Sequence, residues 1–194
     1  MKLLHIDSSA LGGYSVSRQL SADIVAELRR HAPGLDVTYR DLAAQPLPHW
    51  TPVADASDPA AVLGSQMLEE FLAAETSVIG APMYNFGISS QLKAWIDRIL
   101  VAGKTFQYTA NGPVGLAGGK RVIVASSRGG FYGQNTAGAA MDFQEPYLRT
   151  AFGFIGISTI EFVRAEGVAV SDEHKVAALK AARSSIATLV AKAA

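Results

Sequence analysis

The sequence of 194 residues predicts an α/β fold in which a five-stranded parallel sheet of strand order 2-1-3-4-5 carries helices on both faces. Three observations predict it. Short apolar runs alternate five times with amphipathic helical patterns, which is typical of a parallel sheet. Right-handed crossovers leave few topologies, and this order is the leading one for five strands. The length suits one domain, which we expect to cover residues 1–194.

The first strand, helix and second strand follow from local pattern. Lys2–Asp7 is an apolar run that ends in a turn cluster, so we predict a buried strand. From Ser17 an apolar residue recurs every fourth position, which predicts an amphipathic helix that ends at Pro33 and Gly34. Asp36–Tyr39 alternates polar and apolar residues and is the second predicted strand. The helix positions are Leu20, Ile24 and Leu28.

An irregular segment separates the second strand from the next helix. Its prolines, from Pro46 to Pro59, predict a connection without regular structure. A helix over Pro59–Ala74 follows, and Thr76–Ala81 is the third strand, which Pro82 stops. Ser89 or Ser90 is expected to cap a further helix that runs to about Val101.

Glycine-rich segments separate the remaining elements. We predict a long loop or hairpin over residues 103–119 and a second long loop over Arg128–Asp142. The other predicted elements are the fourth strand Lys120–Ser127, a helix over Glu145–Ile155, the fifth strand Ser158–Ala165 and a last helix over Asp172–Ala191. Val176, Leu179, Ile186 and Val190 are expected to face inward from that last helix.

Composition excludes several classes of function. The absence of cysteine removes disulfides and thiolate nucleophiles, and it fits a reducing cytoplasm. Lys+Arg and Asp+Glu both number 17, which argues against nucleic acid as a partner; we interpret the doublets Arg29-Arg30 and Lys120-Arg121 as solvated ends of elements. No apolar run is long enough to span a membrane, and the N-terminus does not resemble a secretory signal.

The histidines do not suggest a metal site. His5 lies in the first predicted strand and is expected to be a hydrogen-bonded core residue. His31, His49 and His174 are predicted to be surface residues, and no spacing among them is that of metal ligands.

The predicted sheet places a ligand crevice beyond the carboxyl ends of the first and third strands. Gly12 and Gly13 allow the backbone to approach a ligand there, and Ser15 and Ser17 lie at the start of a helix. A helix N-terminus offers unpaired N–H groups and a partial positive charge, so this loop suits a phosphate. The alternative is a helix cap with a flexible turn. Neither a Walker motif nor the dinucleotide fingerprint is present in the sequence.

Two more unusual loops are expected at the same crevice. "PMYNFGIS" is aromatic and rich in groups that suit a flat heterocycle, although Tyr84 and Phe86 could instead plug the core. "SSRGG" offers the bare backbone of Gly129 and Gly130, although it could instead be a lid without a ligand. One loop for a monophosphate and two for a planar ring together predict an FMN site.

The sequence also resembles a known family. "HIDSSALGGYSVSRQL", "GAPMYNFGISSQLKAWIDRI", "GKTFQY", "SSRGG", "GFIGI" and "FVRAEG" are similar to segments of the FMN-dependent NADH azoreductases, a flavodoxin-like family of NADH:quinone reductases. The resemblance covers nearly the whole chain. It implies a flavodoxin-like three-layer sandwich, tightly bound FMN, NADH as donor with NADPH possible, and quinones and azo compounds as acceptors. It also implies a cytoplasmic homodimer with the active site at the interface.

The resemblance further implies which residues hold the cofactor. The phosphate would be held by Ser9, Ser15, Val16 and Ser17, with Val16 contributing its backbone alone because many members carry Gln there. The isoalloxazine ring would lie against Pro82, Met83, Tyr84, Asn85, Phe86, Ser127, Arg128, Gly129 and Gly130.

The expected mechanism is a ping-pong cycle in which flavin N5 takes a hydride from NADH and the acceptor then receives the two electrons, so no catalytic side chain and no metal are required. Tyr108, Phe131 and Phe152 are candidates to wall the substrate slot, or else core or interface residues. Two alternatives stay open: a non-enzymatic electron carrier of the flavodoxin type, and a binding or signalling domain without flavin.

Overall fold

The computed structural model describes residues 1–52 and 55–191. Its strands are β1 (Lys2–Asp7), β2 (Asp36–Asp41), β3 (Thr76–Pro82), β4 (Phe106–Thr109), β5 (Gly112–Gly115), β6 (Arg121–Ser127) and β7 (Thr159–Ala165). Its helices are α1 (Val16–His31), α2 (Pro59–Ala73), α3 (Ser90–Ile99), α4 (Glu145–Phe154) and α5 (Asp172–Ala191).

Five strands form one parallel sheet of order β2-β1-β3-β6-β7. This confirms the predicted order, because β6 and β7 are the fourth and fifth strands of the sequence pattern. β1, β3 and β6 are buried along almost their whole length because helices cover both of their faces. Val78 and Ile79, adjacent on β3, are fully buried in opposite apolar clusters.

The two clusters define the three layers. The larger cluster packs α2, α3 and α4 on one face of the sheet, with the Phe71 and Trp95 rings edge to face at 5.8 Å between centroids. The smaller cluster packs α1 and α5 on the other face, through residues such as Leu20, Ile24 and Ile186. Together they confirm the predicted flavodoxin-like sandwich.

Short polar side chains set the helix boundaries. Ser15 Oγ accepts a hydrogen bond from the Arg18 backbone at the start of α1, and Ser89 Oγ accepts one from the Leu92 backbone at the start of α3. α3 ends at Ile99 rather than near Val101, because the Val101 N–H donates to Thr105 Oγ1 at 2.9 Å instead of continuing the helix.

Three further details sharpen or correct the predicted elements. Residues 103–119 contain the antiparallel hairpin β4–β5. Lys120 is not a solvated end: its Nζ donates to the carbonyls of Leu72 and Ala74 at 2.7 Å, and burial lowers its pKa. Val176 was expected to face inward but is 67% exposed, because α5 meets the sheet through its second half. Residues 53 and 54 of the proline-rich connection lie outside the described residues.

The parallel strands bring their carboxyl ends to one edge of the sheet, which we call the crest. Three segments emerge there: residues 8–15 after β1, residues 83–89 after β3 and residues 128–144 after β6. Within the described ranges, no helix combines the length and the apolar character that a bilayer crossing requires.

Candidate functional site

The first crest loop ends in the N-terminus of α1. A 3₁₀ turn over Gly12–Tyr14 leads into Ser15, and Gly12 adopts the left-handed conformation with φ +51°. Ser15 Oγ and Ser17 Oγ lie 3.1 Å apart, and both side chains are buried. The backbone N–H groups of Val16 and Ser17 open the helix, where no intrahelical acceptor exists. This end of α1 is therefore a set of hydroxyl and N–H donors that carries the positive end of a helix dipole.

The side chain of Arg18 is hydrogen-bonded to the backbone of this loop. Its Nε and Nη2 donate to the carbonyl of Ser9 at 3.2 and 2.8 Å, and its two Nη atoms each lie 2.6 Å from a carboxylate oxygen of Asp41. The Arg18 guanidinium lowers the pKa of Asp41 to about 2. Arg18 is not among the residues predicted for the site, and its place in the first turn of α1 is the sequence signal that points to it.

A buried polar chain continues beneath the same loop. Ser21 Oγ donates to Asp7 Oδ1 at 2.7 Å, and the hydroxyl of Tyr39 donates to Asp7 Oδ2 at 3.0 Å. His5 Nε2 lies 3.0 Å from Ser21 Oγ, which confirms His5 as a hydrogen-bonded core residue. Burial lowers the pKa of His5 despite the opposing influence of the Asp7 carboxylate, so a neutral imidazole fits this position.

The second crest loop is a strained turn. Tyr84 and Gly87 exchange two backbone hydrogen bonds of 2.9 and 3.0 Å, while Asn85 and Phe86 both have positive φ, +47° and +73°. A bulky residue such as Phe is rare in that conformation, and such strain costs about 1–3 kcal/mol per residue. Strained turns of this kind cluster at functional sites.

Hydrogen bonds join the three crest loops. The hydroxyl of Tyr84 lies 3.0 Å from Ser9 Oγ and accepts from the Ala10 N–H at 3.1 Å, which links the second loop to the first. The N–H of Met83 donates to the carbonyl of Ser127 at 2.8 Å, which links the second loop to the third. The predicted phosphate loop and the two predicted ring loops therefore form one continuous surface.

Arg128 requires a correction. The sequence suggests it as a cofactor contact, yet its side chain is only 1% exposed and is surrounded by protein acceptors. Its backbone is also engaged, since its N–H donates to Ala165 and its carbonyl accepts from Val168. Arg128 therefore supports the third loop from inside. Its side-chain partners are the carboxylates of Asp142, Glu145 and Glu166 at 2.9, 2.6 and 3.1 Å, and the side-chain oxygens of Ser126 and Gln144 at 3.2 and 3.3 Å.

The carboxylates around Arg128 and the side chain of Gln144 tie the third loop to other elements. Glu145 also binds Arg164 of β7 through both carboxylate oxygens, at 2.6 and 2.7 Å. Gln144 Nε2 donates to the carbonyl of Ala81 at the end of β3. None of these partners is among the predicted site residues. The motif "FVRAEG", which contains Arg164 and Glu166, is the sequence signal that pointed to this region.

The three residues predicted for the substrate slot differ in their exposure and lie in different parts of the structure. Tyr108 is 74% exposed on β4, and Phe131 is half-exposed beside Gly167 on the third loop. Phe152 is completely buried in the larger apolar cluster, where it has no surface to offer a substrate, so its assignment to the slot is wrong.

Exposed apolar side chains surround the crest. Large apolar residues exposed on neighbouring loops are typical of a site of binding or association. They are Leu11, Tyr14, Phe86, Phe131, Met141 and Phe143.

Comparison with known proteins agrees with this fold. The family described as having a flavodoxin-like fold matches residues 1–190. A protein of Xanthomonas oryzae pv. oryzae named FMN-dependent NADH:quinone oxidoreductase is 61% identical over 184 residues, which cover 94% of this chain and 93% of the relative. FMN-dependent NADH:quinone oxidoreductase 2 of Pseudomonas aeruginosa is 57% identical over 199 residues, which cover 96% and 97%.

Solved structures give the same picture. The crystal structure of an azoreductase from Bacillus anthracis str. Sterne superposes with a TM-score of 0.90 at 26% identity and covers 99% of both chains. An FMN-dependent NADH-azoreductase from Bacillus anthracis str. Ames Ancestor, solved in complex with FMN, gives 0.89 at 26% identity and covers 100% and 99%. The matched residues and these identities show that the chain belongs to the flavodoxin-like family that includes the FMN-dependent NADH:quinone oxidoreductases.

Proposed function

We propose that this protein is an FMN-dependent oxidoreductase that uses NADH, or NADPH, to reduce quinones and aromatic azo compounds. The observation that carries the proposal is the crest itself. The loop that leads into a helix N-terminus lined by buried serines is hydrogen-bonded, through Tyr84, to a strained aromatic turn. The names of the relatives at 57–61% identity support the same activity.

The first loop suits the phosphate of FMN by the chemistry of its donors. The N–H groups of Val16 and Ser17 and the hydroxyls of Ser9, Ser15 and Ser17 would surround the phosphate oxygens, with no lysine needed. Anion binding at a helix N-terminus contributes about 0.3–2 kcal/mol, so burial of the ring would supply most of the affinity.

The second and third loops suit the isoalloxazine ring. Pro82, Met83 and the Tyr84–Phe86 turn would cover one side, and Ser127, Gly129 and Gly130 would approach an edge. Neither Gly129 nor Gly130 donates its N–H to an acceptor among the described residues. These N–H groups are therefore available for negative charge that reduction places on the ring.

Bound FMN would supply the redox chemistry: its N5 would accept a hydride from the nicotinamide, and the two electrons would then pass to the acceptor in a ping-pong cycle. The protein would orient the ring, limit access of water and offer a flat face on which donor and acceptor bind in turn. No acid or base side chain is needed, because solvent supplies the protons. Two rounds would cleave an azo bond to two amines.

We further expect a cytoplasmic homodimer with the active site at the subunit interface. The exposed apolar residues around the crest support it, because a second subunit placed there would bury them and close the substrate slot. Tyr108 and Phe131 stay candidates for the walls of that slot.

Spectroscopy and steady-state kinetics test the proposal together. The purified protein, supplied with FMN, should be yellow and should oxidise NADH in the presence of menadione. A yellow protein inert to NADH would instead be an electron carrier of the flavodoxin type. A protein that does not take up FMN would be neither and would end the proposal.

A substitution at Gly129 tests the placement of the ring. A Cβ built at Gly129 contacts only Ala169, at 3.4 Å, so Gly129→Val should leave the fold intact while it blocks the approach of the ring. Asn85→Leu should act on the neighbouring turn, although its positive φ adds strain. Unchanged FMN affinity in both variants would contradict this placement. Gly34→Ala, in open space away from the crest, is the control.

A further inference from the structure

Residues 167–169, which we call the clamp, hold the third crest loop in place. None of these three residues is among the predicted cofactor contacts. The carbonyls of residues 128–130 all accept hydrogen bonds from the segment 167–169 that follows β7. The three bonds are Val168 N–H to Arg128 O at 3.1 Å, Ala169 N–H to Gly129 O at 3.1 Å, and Gly167 N–H to Gly130 O at 2.9 Å.

This arrangement fixes the direction of three consecutive N–H groups. In a trans peptide the C=O and the next N–H point in opposite directions. Because the carbonyls of Arg128, Gly129 and Gly130 point toward residues 167–169, the N–H groups of Gly129, Gly130 and Phe131 point away from that segment. Successive N–H groups aligned in this way form a site for negative charge.

Glu166 ties the clamp to the third loop. Its Oε1 accepts from Arg128 Nη1 at 3.1 Å and from the Tyr132 N–H at 2.9 Å. It thereby joins the residue before the two glycines to a residue after them, and it directly precedes the segment that binds their carbonyls. Gly133 also lies close, since a Cβ there would be 3.2 Å from Glu166 Oε2.

We propose that Glu166 is a positioning residue that orients the N–H groups of Gly129, Gly130 and Phe131 and thereby sets the reduction potential of the bound flavin. The inference rests on the proposed function. Glu166 touches no cofactor in this account; it acts through Arg128 and the backbone of the loop. Its role is to keep the three donors aimed where reduction places negative charge.

The negative charge of Glu166 and its positioning of the loop should shift the midpoint potential of the flavin in opposite directions. Variants that separate the two effects therefore test the inference. Removal of a carboxylate near the ring would by itself favour negative charge on the ring and raise the midpoint potential. Loss of aligned N–H donors would lower it. Glu166→Asp keeps the charge but withdraws the acceptor by one carbon, and Glu166→Gln keeps an oxygen acceptor in place without the charge.

The experiment is a redox titration of the FMN-loaded protein and its variants. Glu166→Asp should lower the two-electron midpoint potential by about 30 mV, the equivalent of a tenfold loss in the stabilisation of the reduced state. Glu166→Ala should lower it by less, because the loss of negative charge partly offsets the loss of aligned donors. Glu166→Gln should have a midpoint potential equal to that of the wild type or higher. If Glu166→Ala does not fold, Glu166→Asp carries the test.

Glu161→Ala is the matched control. Glu161 lies on β7, the strand that precedes Glu166, and pairs with Arg121 at 2.6 Å, but near the opposite end of the sheet from the crest. The Glu161→Ala substitution should lower the melting temperature without changing the midpoint potential of the flavin. A midpoint potential that is unchanged or raised in both Glu166→Ala and Glu166→Asp overturns the inference while the proposed function stands. A wild-type protein that binds no FMN overturns both.

Discussion

Two arginines hold the two ends of the crest in different ways. Arg18 is partly exposed and contacts the first loop directly, since its own guanidinium binds the carbonyl of Ser9 while one carboxylate, that of Asp41, binds it bidentately. Arg128 lies in the third loop itself, is almost fully buried and is bound by three carboxylates, one of which, that of Glu166, also binds the Tyr132 backbone further along that loop.

The difference follows from the cost of burying charge. A cation that keeps some water needs only one good partner, whereas a cation removed from water must be neutralised and hydrogen-bonded on every side. We infer that the phosphate end of the crest depends on a partly exposed ion pair of modest strength. The ring end depends on a buried network that tolerates little change.

The largest expected effect is at the buried network. Glu145→Gln should lower the free energy of unfolding by about 3 kcal/mol, because it leaves Arg128 and Arg164 short of a shared counter-charge. Urea denaturation measures it. A loss no greater than that of Asp41→Asn would remove the distinction between the two arginines.

A tight approach beneath the first loop gives the next effect. A Cβ at Gly80 would lie 2.3 Å from Asp7 Oδ1 and 3.3 Å from the carbonyl of Ser17. Gly80→Ala should therefore cost about 2 kcal/mol of stability and weaken FMN binding, as thermal denaturation and a flavin titration would register. Gly34→Ala, with open space around it, should change stability by less than about 0.5 kcal/mol. Equal losses of stability in Gly80→Ala and Gly34→Ala would count against the tight packing around Gly80.

Asp41→Asn probes the partly exposed Arg18–Asp41 ion pair. It should cost about 1 kcal/mol at pH 7, since partly exposed ion pairs are weak. The pKa of Asp41 is lowered from 3.8 to about 2, so its contribution is present above pH 4 and is lost as the pH falls toward 2. Denaturation curves of the wild type and the variant should therefore converge between pH 4 and pH 2. A difference in stability between the wild type and the variant that persists at pH 2 would show that the Arg18–Asp41 ion pair is not its cause.

The smallest expected effect concerns the link between the first two loops. Tyr84→Phe removes the hydroxyl that binds Ser9 Oγ and the Ala10 N–H, and it should weaken FMN about threefold. Fluorescence titration of the apoprotein measures this change. Tyr147→Phe removes a hydroxyl from α4, outside the three crest loops, and serves as the control. An unaltered affinity in Tyr84→Phe would mean that the loops hold their places independently.

Local signals account for what the sequence could predict. The strand order follows from five apolar runs that alternate with helical patterns, and Ser15 and Ser89 cap helices because a serine before an apolar repeat is a local feature. The three unusual loops were expected at one crest because parallel strands share the direction of their carboxyl ends.

The supports of the site could not be predicted in the same way. Arg128 meets Glu166 from 38 residues away and Glu145 from 17, and no periodicity links such positions. An arginine next to two glycines in a loop resembles a ligand contact until its burial is known. Phe152 likewise resembles a candidate for the slot, and only the packing of α4 places it in the core.

The comparison of FMN with riboflavin tests the central claim most directly, because the two differ only in the phosphate assigned to the N-terminus of α1. Fluorescence titrations of the apoprotein at one fixed ionic strength should give an affinity for FMN about tenfold or more above that for riboflavin. Equal affinities, or no binding of either, would contradict the assignment of this helix end as the phosphate site.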